Sequence, residues 1–140
     1  TETPEIPKLQ EIKEQQLQAK YNVIQEEAVQ EQPANVPHGT LVGVSGLYQG
    51  AQITLKNGEM IRLGRSSEND LIFADQMHVS RQHCQITWDE AKGQYKIYDT
   101  SSTGSYMNGQ EEPLPQNMEV WLGTGVTLDI GDSTNRFSLE

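Results

Sequence analysis

Cysteine is almost missing from the 140-residue chain. Cys84 stands alone, so no disulfide can form within it, and a reducing compartment is the expectation. No run of about 18 apolar residues occurs, which excludes a helix that crosses a bilayer by itself, and no leader of the charged, apolar, small-residue kind is visible. The chain opens on Thr1 and not on Met, so it is expected to be a piece of a longer protein. The expected setting is cytoplasmic, alone or as the cytoplasmic part of a larger or membrane-anchored protein. Basic residues are scarce: 10 Lys and Arg stand against 20 Asp and Glu, for a net charge of −10. That balance speaks against non-specific nucleic-acid binding, which needs clustered cations, and against docking on anionic lipid. Only 34% of the residues are hydrophobic. One domain of about 100 residues can still bury a core, with the remainder unpacked.

Glycine is missing from the first 38 residues, and all 12 glycines follow. The boundary divides two kinds of chain. Residues 1–37 are acidic and rich in Gln and Glu, without Trp or Phe. Their composition favours helix between Lys8 and Glu31, but Gln16 breaks the apolar stripe and no heptad seam forms. The expectation is a tail or linker, disordered or partly helical. Residues 38–140 have the opposite texture, with short runs of β-branched and aromatic residues between turn signals. The pattern predicts strands at about 40–44, 51–56, 59–64, 71–73, 82–88, 94–99, 105–107, 119–122, 126–130 and 135–139. Asn57-Gly58 and Asn108-Gly109 are dipeptides suited to type I′ hairpin turns, in which both central residues take positive φ. Many short strands with regular turns predict an all-β sandwich or barrel. Trp88, Tyr98, Trp121 and Phe137 are expected in the core or at its margin.

Three polar clusters sit at turns. Ile61 to Asp70 ends a strand at Gly64 and places Arg65 directly after it. His78 to Cys84 leads into a strand through Ser80, Arg81 and His83. Asp99 to Gly109 is a loop of small hydroxyls and glycines between strands. The ordered set Gly64-Arg65, then Ser80-Arg81-Gln82-His83 about fifteen residues on, then Asn108-Gly109, resembles the forkhead-associated (FHA) family. Asn69-Asp70-Leu71 and Asp99 fit as flanking text, and the resemblance covers about residues 39–140.

The resemblance implies a β-sandwich of about eleven strands that reads phosphothreonine through loops at one end, without enzymatic activity, metal or cofactor. Such a ligand carries about −1.5 to −2 charge and three strong acceptor oxygens. Arg65 can offer a planar fork, Ser80 and Ser102 hydroxyl donors, and Arg81 a main-chain N–H with added charge. Gly64, His83, Gly104 and Asn108 are implied to shape the site. Thr103 stands where the family usually has an Asn that clamps the peptide backbone, which puts that clamp in doubt. The implied partner is a phosphothreonine protein of a Ser/Thr-kinase pathway, chosen by the residue three after the phosphothreonine. The competing reading keeps the fold but binds an unphosphorylated partner or forms homo-oligomers.

Two further readings concern the same residues. Ser80, His83 and Asp99 contain the residue types of a hydrolytic triad, but a triad is defined by geometry. The expectation is that His83 is a buried bracket. A metal site from His78, His83 and Cys84 lacks ligand spacing, since adjacent residues on a strand face opposite ways. In the tail, Thr3 and Thr1 lie in an acidic segment and are the expected phosphoacceptors if the tail enters the domain's own site.

Overall fold

The computed structural model describes residues 37–140. Thr1, Thr3, the expected partial helix and all but the last residue of the tail lie outside the described residues.

Ten strands form in chain order: β1 (Thr40–Ser45), β2 (Gln52–Thr54), β3 (Met60–Gly64), β4 (Leu71–Ile72), β5 (Cys84–Asp89), β6 (Gln94–Asp99), β7 (Ser105–Met107), β8 (Glu119–Gly123), β9 (Val126–Ile130) and β10 (Arg136–Leu139). No helix occurs among the described residues. Two five-stranded sheets result, ordered β2-β1-β10-β9-β7 and β4-β3-β5-β6-β8. All pairings are antiparallel except β3 with β4.

The period-two sequence explains the burial. On β5, Cys84, Ile86 and Trp88 face inward, and on β6 so do Tyr95, Ile97 and Asp99. Between the sheets, Phe73 and Phe137 meet edge to face at 6.3 Å, and Trp88 packs on Tyr95 at 4.7 Å. Such aromatic pairs add about 0.5–1.5 kcal/mol beyond the area they bury. Tyr98 and Trp121 are only half-buried, and Lys92 lies 3.7 Å from the centre of the Trp121 ring. The short strand β4 would expose a bare edge. Tyr48 covers it by donating its hydroxyl to the Ile72 carbonyl at 2.7 Å and accepting the Ile72 N–H at 2.9 Å.

The ten strands match the expected sandwich of about eleven, and the segment 113–117 adds only an isolated bridge between Asp99 and Gln116. Pro113 and Pro115 lie within that segment, and neither has an N–H to give to a ladder. The two Asn-Gly dipeptides differ from each other. Asn108 and Gly109 both take positive φ, 53° and 68°, as a type I′ turn requires. At the other pair only Gly58 does, at 79°. Neither pair closes a hairpin, because β2 and β3 belong to different sheets, as do β7 and β8, and the chain crosses over after both dipeptides.

Strand direction decides where the loops gather. β3 and β6 run toward one end of the sandwich, and β5 and β7 start from it, so the connections 65–70, 73–83 and 100–104 meet there. At the opposite end, Gly39 donates to the Glu140 carbonyl at 3.0 Å. The buried Tyr95 hydroxyl bonds the carbonyls of Thr40 and Glu140 at 3.2 and 2.7 Å.

Candidate functional site

The three loops are held by hydrogen bonds to each other. Arg65 N–H donates to the Ser80 carbonyl at 2.9 Å and Ser66 N–H to the Arg81 carbonyl at 3.1 Å. Asn69 donates its side-chain amide to the same Arg81 carbonyl at 2.7 Å and to the Ser66 carbonyl at 2.9 Å. Its side chain is a buried staple between the first two loops. The third loop is joined to the second by Thr100, whose N–H and hydroxyl reach the His83 and Gln82 carbonyls at 3.0 and 2.9 Å.

His83 is fully buried. Its Nδ1 accepts the Ser80 N–H at 3.1 Å, so the ring proton sits on Nε2, which donates to the Gly104 carbonyl at 2.8 Å. Burial lowers its pKa, against the raising influence of the Asp99 charge and the Gly104 bond, and the ring stays neutral. Asp99 does not bond His83. Its Oδ1 accepts from the Ser101 N–H and hydroxyl at 2.8 and 2.6 Å. Ser80, His83 and Asp99 therefore form no hydrogen-bonded relay.

Gly64 and Gly104 are required by space and backbone. A Cβ on Gly64 would stand 2.3 Å from the Arg81 carbonyl oxygen and 2.6 Å from the Asn69 amide. Gly104 has φ +92°, and its Cβ would meet Pro113 at 2.8 Å. Gly64→Ala is expected to lose about 1–3 kcal/mol of stability, the usual result of overpacking. A urea titration of both proteins would read it, and an unchanged midpoint would contradict this account.

The groups on the surface of this frame are polar and cationic. The Ser80 and Ser102 hydroxyls lie 3.3 Å apart, and Ser102 N–H donates to Ser80 Oγ at 3.1 Å. Either hydroxyl can be the donor of this pair, which leaves the proton of the other to give. The chain has four arginines. Arg136 forms a two-pronged ion pair with Asp129, at 2.6 and 3.0 Å, and Arg62 lies 3.5 Å from Asp70. Arg65 and Arg81 make no ion pair among the described residues. The only polar contact of the Arg65 guanidinium there is Nη1 to Met77 Sδ at 3.7 Å. In an acidic chain, both arginines belong to the loops that hold the two serine hydroxyls, Arg65 through its N–H on the Ser80 carbonyl and Arg81 as the residue after Ser80. An anion there would find cationic and hydroxyl donors on loops already held together by hydrogen bonds.

Thr103 is exposed, but its hydroxyl donates to the His78 carbonyl at 2.7 Å. It ties loop to loop, and the single donor of its side chain is engaged. Asn108 is not brought to the site. It lies at the far end of β7, where its Oδ1 accepts the Thr127 N–H at 3.0 Å and supports the β7–β9 seam. No group of three or more His, Cys, Asp or Glu side chains is placed to hold a metal among the described residues. Asn69 and Met77 were not anticipated as part of this end of the molecule. A buried Asn in a loop of polar residues leaves no mark in composition, although Asn69 stands in the flanking text of the first cluster.

The family profile of the FHA domain matches residues 61–131. The chain belongs to the FHA family. The FHA region is 35% identical over 96 residues to the E3 ubiquitin-protein ligase CHFR of Pongo abelii, an alignment that covers 69% of this chain and 17% of that protein. The chain thus spans less than a fifth of the length of the curated relatives it matches. Among solved structures, the FHA domain of an Arabidopsis thaliana hypothetical protein is 27% identical, with a TM-score of 0.59 over 77% of this chain and 90% of that one. A second, from a study of phosphothreonine-dependent FHA domain interactions, is 25% identical, with a TM-score of 0.53 over 71% of this chain and 91% of that one.

Proposed function

We propose that this FHA domain binds phosphothreonine-containing segments of partner proteins in Ser/Thr-kinase signalling, as a non-enzymatic adaptor. The observation that carries the reading is that Arg65, whose N–H bonds the Ser80 carbonyl, and Arg81, the residue after Ser80, make no ion pair among the described residues and share the loop cluster of the Ser80–Ser102 hydroxyl pair. Arg65 would supply the fork, Ser80 and Ser102 hydroxyl donors, and Arg81 its main-chain N–H, which bonds no protein acceptor among the described residues. Hydrogen bonds to charged groups contribute roughly 1.5–3 kcal/mol each. Three or four of them, less the ordering of the peptide, correspond to about micromolar affinity. A solved relative studied for phosphothreonine-dependent interactions supports the same ligand class.

A titration with degenerate phosphothreonine peptides and their unphosphorylated forms tests the reading. The phosphorylated set is expected to bind at least about tenfold tighter, or 1.4 kcal/mol. Equal binding would favour the second reading, an FHA fold that docks unphosphorylated partners. Thr103 is the observation behind that alternative, because its donor is already engaged by His78. Thr103→Asn adds an amide with both donor and acceptor. It is expected to tighten phosphopeptide binding about threefold, by calorimetry, as one exposed hydrogen bond would.

A further inference from the structure

Among the described residues, Met77 is the most exposed of the large hydrophobic ones, at 75% of its free surface. It sits in the connection between β4 and β5, one residue before His78, whose carbonyl anchors Thr103. Its sulfur lies 3.7 Å from Arg65 Nη1. A thioether is a weak acceptor, easily displaced by phosphate. A sulfoxide is polar and carries a strong oxygen acceptor on the same atom.

We propose that Met77 is a reversible oxidation site that controls whether Arg65 is available to an anion. The inference rests on the phosphothreonine reading of the site for its effect on binding, but not for the contact itself. The oxidant is a peroxide. The Met77 sulfur attacks one peroxide oxygen, an S–O bond forms as the O–O bond breaks, and the other oxygen leaves as water once it gains a proton. Sulfur gives up two electrons, and the peroxide takes them. The sulfoxide oxygen then accepts a charge-assisted hydrogen bond from Arg65, and phosphate must compete with it. Methionine sulfoxide reductase reverses the change, with two thiols passing to a disulfide and one water released.

The competing oxidisable groups are less accessible. Met60 is 46% exposed and Met107 is fully buried, while Met118 is half-buried. Cys84 is only 2% exposed. Burial, and then the Asp99 charge, push its thiol pKa far up, so the reactive thiolate is scarce.

The test uses the full chain, treated with limiting hydrogen peroxide and mapped by mass spectrometry. Met77 is expected to oxidise before the other three methionines. Affinity for a degenerate phosphothreonine peptide mixture is expected to fall about 5- to 10-fold, the size of one exchanged charged hydrogen bond at a solvated site, and to return after treatment with the reductase and dithiothreitol. Met77→Leu, compared with itself before and after peroxide, should show no change. In parallel, the Arg65 Nε–H signal of 15N-labelled protein, assigned by its loss in Arg65→Lys, should shift on oxidation in the unsubstituted chain and stay fixed in Met77→Leu. An unmoved Arg65 signal, or an equal loss of affinity in Met77→Leu, would overturn the proposal. If the unoxidised chain binds no phosphopeptide, the functional reading falls, and the arginine signal alone decides whether the sulfoxide captures Arg65.

Discussion

Arg65→Ala is expected to weaken phosphothreonine-peptide binding by about 100-fold or more while leaving the unfolding transition nearly where it is. Two charge-assisted bonds of roughly 1.5–3 kcal/mol each disappear together, and each 1.4 kcal/mol is a factor of ten. The fold should not notice, because the guanidinium makes no ion pair and only a sulfur contact among the described residues, and substitutions away from buried features stay within about 0.5 kcal/mol. The backbone of residue 65 still bonds the Ser80 carbonyl at 2.9 Å. Arg65→Lys sharpens the comparison. It keeps the charge and loses the planar fork, so it should recover only part of the affinity. Calorimetry with a phosphothreonine peptide, alongside thermal melts, reads both quantities. An alanine variant that binds as well as the unsubstituted chain would move the site elsewhere.

His83→Ala should act in the opposite manner, on the frame first. It empties a fully buried position and leaves the Ser80 N–H without its partner, while the Gly104 carbonyl keeps only the Gly131 N–H at 3.0 Å. The lost packing and the stranded N–H together are expected to remove about 3–4 kcal/mol of stability. The site should loosen in the fraction that still folds, since Ser80 and the 100–104 loop lose their common anchor. His83→Gln separates the ring's acid chemistry from its shape. The folded ring has a lowered pKa, chiefly from burial, whereas in the unfolded chain it titrates near about 6.5. Above that pH both states hold a neutral ring and its contribution is flat. As pH falls below it, the unfolded chain takes up a proton that the folded chain refuses, and stability drops until the folded ring protonates too. The stability difference between the unsubstituted chain and His83→Gln should therefore shrink from about pH 7.5 to about pH 5. A difference that stays constant, or widens, would mean that the ring is not held neutral.

Strand positions were legible because the signals are local. The alternation in Gln85-Ile86-Thr87-Trp88 and Tyr95-Lys96-Ile97-Tyr98 needs no partner to be seen, and β5 and β6 fall on those residues. The nearness of the loops that carry Arg65, Ser80 and Ser102 was legible for a different reason: Arg65 and Ser80 lie in an ordered set of motifs and Ser102 in the third polar cluster, and the fold brings Ser80 and Ser102 within 3.3 Å. What could not be read depends on direction and on distant neighbours. Nothing in Asn57-Gly58 says that the next strand joins the other sheet. The orientation of the Thr103 hydroxyl depends on the His78 carbonyl, 25 residues earlier. The role of Asn69 depends on Gly64 having no side chain, which lets the Arg81 carbonyl come close enough to take its amide.

The Tyr95 hydroxyl, which joins Thr40 to Glu140, has a consequence for how the domain can be carried. Gly39 and Glu140 lie side by side, at the pole away from Arg65, so anything joined at either would attach there. A strand of six residues at about 3.3 Å each separates the two poles by roughly 20 Å. The FHA domain can be held from a single side with its 65–70, 73–83 and 100–104 loops facing outward. Immobilising or fusing it at either end is expected to leave those loops clear, and any segment of its own that reaches them must first travel the length of the sandwich.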